Sequence, residues 1–90
     1  MADPLTEMIG SEVILDTGTP IIFVGKLLDV TEHTFVLEDA DMHDFRDGHA
    51  NREEYLAELA AGSLTVNRRQ VVVLKPTVIS VSKLSDIVAD

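Results

Sequence analysis

Ninety residues with 16 acidic and 7 basic side chains, a formal charge of −9 and no cysteine describe one small acidic domain. The missing thiols exclude disulfides, thiolate metal sites and cysteine nucleophiles, and the carboxylate surplus opposes broad attraction to phosphate backbones. No apolar run approaches the roughly 18 residues of a membrane span and the first residues lack a secretory-signal layout, so a cytoplasmic protein with no membrane or DNA partner is expected.

Asp3-Pro4, followed by Leu5, Met8, Ile9 and Gly10, predicts a short helix with an Asp cap, Pro at the first helical position and a glycine stop. From Glu12 the period changes to two, with Val13 and Leu15 on one face. Thr17-Gly18-Thr19-Pro20 then supplies turn chemistry before Ile21-Ile22-Phe23-Val24. Gly25 interrupts this second strand, where a glycine marks a bulge, a bend or a close approach of another backbone. The strand resumes from Lys26 to Val30, turns near Thr31-Glu32 and returns as a third strand from His33 to Leu37.

Residues 38–50 show no clear period and predict a polar loop. Asn51 with Glu54 forms a capping-box pattern, and Tyr55, Leu56 and Leu59 make an apolar stripe ending at Gly62, which predicts a helix within an insert of about 41–67. That stripe either covers the subunit's own core or presents a face to a protein partner; an apolar stripe normally faces the nearest hydrophobic surface. Arg68 and Arg69 precede a fourth strand, Gln70-Val71-Val72-Val73-Leu74. In a fifth, Ile79 and Val81 alternate with Ser80 and Ser82. The two strands meet at Lys75-Pro76-Thr77, which is not a usual two-residue hairpin turn.

The insert region 38–58 holds eight carboxylates, so an acidic segment precedes a basic strand pair carrying Arg68, Arg69, Lys75 and Lys83. Taken whole, residues 1–90 predict one mainly β domain. It is a small, strongly bent five-stranded barrel with a short N-terminal helix and a helix inserted between strands three and four.

Several residues in this order resemble the Sm and Sm-like (LSm) family, with bacterial Hfq as a more distant relative. Pro4-Leu5 looks like the family's leading helix, and Phe23-Val24-Gly25-Lys26-Leu27 with Phe35-Val36-Leu37-Glu38-Asp39-Ala40 is similar to its first motif. Val71 to Leu74, Lys75-Pro76, Ile79 and Leu84-Ser85-Asp86 answer to its second motif, with Lys-Pro standing where the family has Arg-Gly. The resemblance covers residues 4–40 and 68–86, and implies a ring in which strand four of one subunit pairs with strand five of the next. The expected interface is Gln70, Val71, Val72, Val73, Leu74, Ile79 and Val81. An edge of this kind, left open, exposes unpaired amides beside valines, and a head-to-tail contact closes into a ring when the rotation allows.

The resemblance also implies single-stranded RNA at the inner rim, bound in the family by an Asp, a stacking side chain and an Asn from the turn between strands two and three, plus the motif Arg. This chain offers Thr31, His33 and Thr34 in a turn one residue shorter, and Lys75 for the Arg. His33 is either a base-stacking ring or a plain turn residue, and Lys75 either a phosphate contact or a solvated lysine. Thr34 lacks the two-sided amide that reads a uracil edge, and lysine lacks arginine's planar fork. Arg68 and Arg69 either add phosphate contacts or balance the acidic insert.

Asp39, Asp41, His43, Asp44, Asp47 and His49 supply oxygen and imidazole donors. Their spacing fits no recognised loop, since an EF-hand requires glycine where Asp44 stands, and neither a metal nor another cofactor is expected. Ser80 and Ser82 read as the polar face of a strand with no glycine-rich elbow nearby, so no enzyme is expected. Two functions remain: an RNA-associated binding ring, or a homo-oligomeric scaffold that contacts proteins through the acidic helical insert.

Overall fold

Asp3 caps the first helix, α1 (Pro4–Glu7), its carboxylate accepting the Leu5 amide at 2.9 Å. The chain then leaves α1 through Gly10, at φ +92°, whose N–H donates to the Leu27 carbonyl at 2.7 Å. The computed structural model describes residues 3–47 and 51–88. Five strands follow α1: β1 (Glu12–Asp16), β2 (Ile21–Val30), β3 (Thr34–Asp44), β4 (Arg68–Leu74) and β5 (Ser80–Lys83), with helix α2 (Arg52–Ala60) between β3 and β4. They form one antiparallel sheet in the order β4-β3-β2-β1-β5.

Two register shifts bend the long β2–β3 pair, one between Val24 and Lys26 and one between Leu27 and Asp29. At the first, β3 carries the extra residue, and Asp39 there takes φ +50°. On β2 the partner position is Gly25, where a Cβ would stand 2.9 Å from Ala40 Cβ and 3.1 Å from the Glu38 carbonyl oxygen. The glycine therefore serves close approach at a sharply bent point, as expected for a break in a strand pattern.

Alternation along the strands separates two cores. Val13, Leu15, Leu27, Phe35, Leu37, Ala40 and Val73 are buried on the inner face, with Leu5 of α1 and Met8, its C-cap, packed against them. Ile14, Ile22 and Val24 point the other way and are covered by Tyr55 and Leu59 of α2. Strands buried on both faces read as continuous apolar runs, which is why Val13-Ile14-Leu15 and Ile21-Ile22-Phe23-Val24 lack polar residues. The α2 stripe thus covers the subunit's own core.

Two expectations are corrected. First, β3 does not stop at Leu37: it runs to Asp44, paired with β2 through Ile21↔Asp44, so residues 38–44 are strand and the insert begins at Phe45 instead of about 41. Second, β4 begins at Arg68 and β5 at Ser80, so the arginines are strand residues and Ile79 lies just outside β5. In keeping with a junction that is not a hairpin turn, β4 and β5 are joined through a 3-10 turn at Lys75–Thr77 and do not pair; they occupy opposite edges, β4 against β3 and β5 against β1.

A nine-residue helix is marginal alone, and α2 is held by specific contacts. Asn51 caps it by accepting the Glu54 amide at 2.8 Å. Arg52 reaches back to Asp16 at 2.8 Å and to the Thr19 carbonyl at 3.1 Å. The Tyr55 hydroxyl donates to the buried Asp41, whose other oxygen accepts Asn67 Nδ2 at 2.8 Å.

Burial first, and then the bond to Asp41, push the Tyr55 phenol well above its ordinary range. A raised pKa favours the protonated form in the fold, so this contribution is complete below the unfolded value of about 10 and is lost as pH rises beyond it. Tyr55 is the single tyrosine and there is no tryptophan. Phenolate absorbance is therefore expected to stay absent from the folded protein above pH 10 and to emerge together with loss of structure. Ordinary titration near pH 10 with unchanged stability contradicts the buried Tyr55–Asp41 contact.

Candidate nucleic-acid interface

The β2–β3 turn is organised by threonine hydroxyls. Thr31 Oγ1 accepts the amides of Thr34 at 3.0 Å and His33 at 3.3 Å, and its hydroxyl pairs with that of Thr34 at 2.6 Å. The Thr31 amide donates to the Thr34 carbonyl at 2.9 Å, closing the turn. Side chains that bond their own backbone in this way fix turns locally. They leave the His33 ring outward, 80% exposed, with Glu32 3.8 Å from its Nε2.

Lys75 meets this turn from the other half of the chain. Its amide donates to the His33 carbonyl at 2.9 Å, one step beyond the Thr34↔Leu74 pair. Its ammonium lies 5.6 Å from the Phe35 ring centroid, a cation–π approach that holds the charge beside the turn. His33, Thr34 and Lys75 therefore converge at one end of the β3–β4 ladder.

Arg68 and Arg69 do not join them. Arg68 pairs with Ala40 at the far end of β4, roughly 20 Å away at about 3.4 Å per residue. Its guanidinium donates to the Asn67 carbonyl at 3.0 Å and lies 3.9 Å from Met42 Sδ. Neither arginine is within 4 Å of a carboxylate among the described residues.

The residues expected at a subunit interface also divide. Val73 is buried and Val71 and Val81 are half-buried in the inner core, whereas Gln70, Val72, Leu74 and Ile79 are exposed. Because Lys75 forms a hydrogen-bonded pair with His33, the alternating ladder assigns Val73 and Val71 to β3 and turns the amides of Val72 and Leu74 toward the free edge. The Leu74 carbonyl is taken by Thr77 Oγ1 at 2.7 Å.

Three of the candidate donors in the acidic segment are committed to other partners. Asp41 is bound by Tyr55 and Asn67, His43 stacks on Tyr55 at 4.1 Å between centroids, and Asp44 pairs with Arg46 at 2.6 Å. The Arg46 guanidinium and amide bonds hold the Asp44 carboxyl down at about 2. No three His, Asp or Glu side chains converge on a metal-sized site among the described residues; His49 lies outside them.

Asn67 escaped sequence reasoning, and Asp41 figured there only as an acidic donor, not as the buried partner of Tyr55 and Asn67. Asn67 also accepts the Met42 amide at 2.9 Å and donates to the Met42 carbonyl at 3.1 Å, so its side-chain amide extends the β3–β4 ladder by one pseudo-residue. The one signal for it was an Asn directly before the basic strand.

No protein-family model matches the chain, and no curated protein matches it. Among solved structures it is similar to the Pyrococcus abyssii Sm protein, determined in complex with a uridine heptamer. The TM-score is 0.61 at 19% identity, over 91% of this chain and 99% of that one. The chain has an Sm-like fold. No described helix is long and apolar enough to cross a membrane.

Proposed function

We propose that this chain is an RNA-associated binding module that assembles head to tail into a homo-oligomeric ring and holds single-stranded RNA at the junction of His33, Thr34 and Lys75. It acts in the cytosol by binding, without catalysis. The observation that carries the reading is the 2.9 Å bond from the Lys75 amide to the His33 carbonyl. It joins the β2–β3 turn to the Lys-Pro segment in one surface site with His33 exposed and Thr34 and Lys75 half-buried, on a fold shared with a protein solved bound to a uridine heptamer.

The chemistry suits RNA. An exposed imidazole offers a stacking face, and an ammonium beside it offers a phosphate contact. With a chain charge of −9, the attraction is local and steeply salt-dependent. The binding constant of a single strand falls with a logarithmic slope of about −0.7 per phosphate contact.

Titration of fluorescent oligouridine and oligoadenosine at several salt concentrations tests it. Binding is expected to weaken as salt rises, and Lys75→Ala is expected to lower affinity and flatten the salt slope. No binding at low salt contradicts the proposal and leaves the scaffold reading. Tyr55 and Leu59 are buried on the subunit's own core, so the α2 stripe offers that second reading no support.

A further inference from the structure

We infer that this site, granted the reading above, takes single-stranded RNA irrespective of base identity: one base stacks on His33 of each subunit and a neighbouring phosphate meets Lys75. Base-edge readout needs donors and acceptors that are both fixed and free. In this turn the fixed polar atoms are engaged with one another.

Thr31 Oγ1 accepts two backbone amides and shares a proton with Thr34 Oγ1 at 2.6 Å. The Asp29 carboxylate, the next polar group upstream, accepts the Val30 amide at 2.8 Å. What remains to a base is the spare capacity of the Thr34 hydroxyl and the acceptor oxygens of the Asp29 and Glu32 carboxylates, and uracil, adenine and cytosine each carry an N–H that a carboxylate can accept. A single hydroxyl donates or accepts according to its partner, so it does not separate uracil from adenine or cytosine.

The groups that do face solvent are indifferent to sequence. His33 is the one exposed ring among the described residues. Glu32 stands 3.8 Å from its Nε2, a contact at the ring edge that does not cover the faces. Every base has a π-face to lay against such a ring. Lys75 carries three rotatable donors on a flexible stem, and satisfies a phosphate without selecting the base attached to it.

The test is fluorescence anisotropy of the full chain against oligouridine, oligoadenosine and oligocytidine of one length at low salt. The three affinities are expected to agree within about threefold. His33→Ala should weaken all three by a common factor of about 5 to 150 for each subunit the strand contacts, the range for one stacked base, whereas His33→Phe should preserve them. Preference for one base above about tenfold overturns base tolerance, and equal binding by His33→Ala overturns the stacking on His33, while RNA binding itself stands in both cases. Failure of all three oligonucleotides to bind overturns the functional reading beneath it.

Discussion

Gly25→Val is expected to abolish the folded state, and Gly25→Ala to lower stability by about 3 kcal/mol, at the upper end of the range for one inserted methyl group. A Cβ at this position meets Ala40 Cβ at 2.9 Å, Ala40 Cα at 3.0 Å and the Glu38 carbonyl oxygen at 3.1 Å. Two of those three atoms are backbone, so no rotamer change relieves the clash; β2 and β3 have to separate where the register shifts. That separation loosens the pairing that buries Val24, Leu27 and Leu37.

Against a total stability of about 5–15 kcal/mol for a domain, and toward the low end for one this small, the methyl is severe and the isopropyl is beyond compensation. Urea denaturation reads both. Ala40→Gly combined with Gly25→Ala should recover part of the loss by removing the nearest contact. An alanine variant with the parent's midpoint contradicts the assigned role of this glycine.

If the chain assembles through this edge as proposed, Val72→Pro is expected to leave a folded monomer of 9.9 kDa, a loss of assembly at every concentration where the parent associates. Proline deletes an amide that the ladder turns away from β3, and proline is tolerated on an edge strand when its missing donor faces outward. The β3–β4 pairing should therefore survive while the bond to the next subunit is lost. The same edge carries Val72 and Leu74, 55% and 58% exposed, and Ile79 beside the opposite edge is 71% exposed. Large apolar groups on an unpaired edge mark a surface that another strand covers.

Light scattering supplies the mass and circular dichroism the strand content. Val72→Lys, which leaves the backbone donor in place and puts a charge on the edge, should also dissociate the ring and guards against misfolding of the proline variant. Parent protein that is monomeric at micromolar concentration, or a proline variant that keeps the parent's mass, contradicts strand-to-strand assembly.

Several elements were legible because their cause lies within a few residues. The Asp3 and Asn51 caps are used where the sequence placed them, and the left-handed Gly10 and Gly62 stand where the helices were expected to stop. The continuation of β3 to Asp44 was not legible. Glu38-Asp39-Ala40-Asp41-Met42-His43-Asp44 has neither an alternating apolar face nor β-branched residues. It is strand because Ile21–Val24 pair with it on one side and the Asn67 amide holds Met42 on the other. Of the candidate site, the local turn at His33 and Thr34 was visible and the resemblance set Lys75 beside it, whereas nothing in the chain fixed how far Arg68 and Arg69 lie from that turn.

The sequence by itself determined the short-range decisions: where helices begin and stop, that Gly25 admits a close neighbour, and that Val71 and Val73 face opposite to Val72 and Leu74. Those follow from capping, steric room and strand period, which act over two to four residues. Only the tertiary structure decided that β3 runs on to Asp44, that α2 lies on the outer face of β1 and β2, and that Arg68 and Arg69 lie a strand's length from Lys75. Each depends on pairing between segments distant in the chain, and the register of that pairing is set by the bends at Gly25 and Leu28, whose combined effect no local pattern carries.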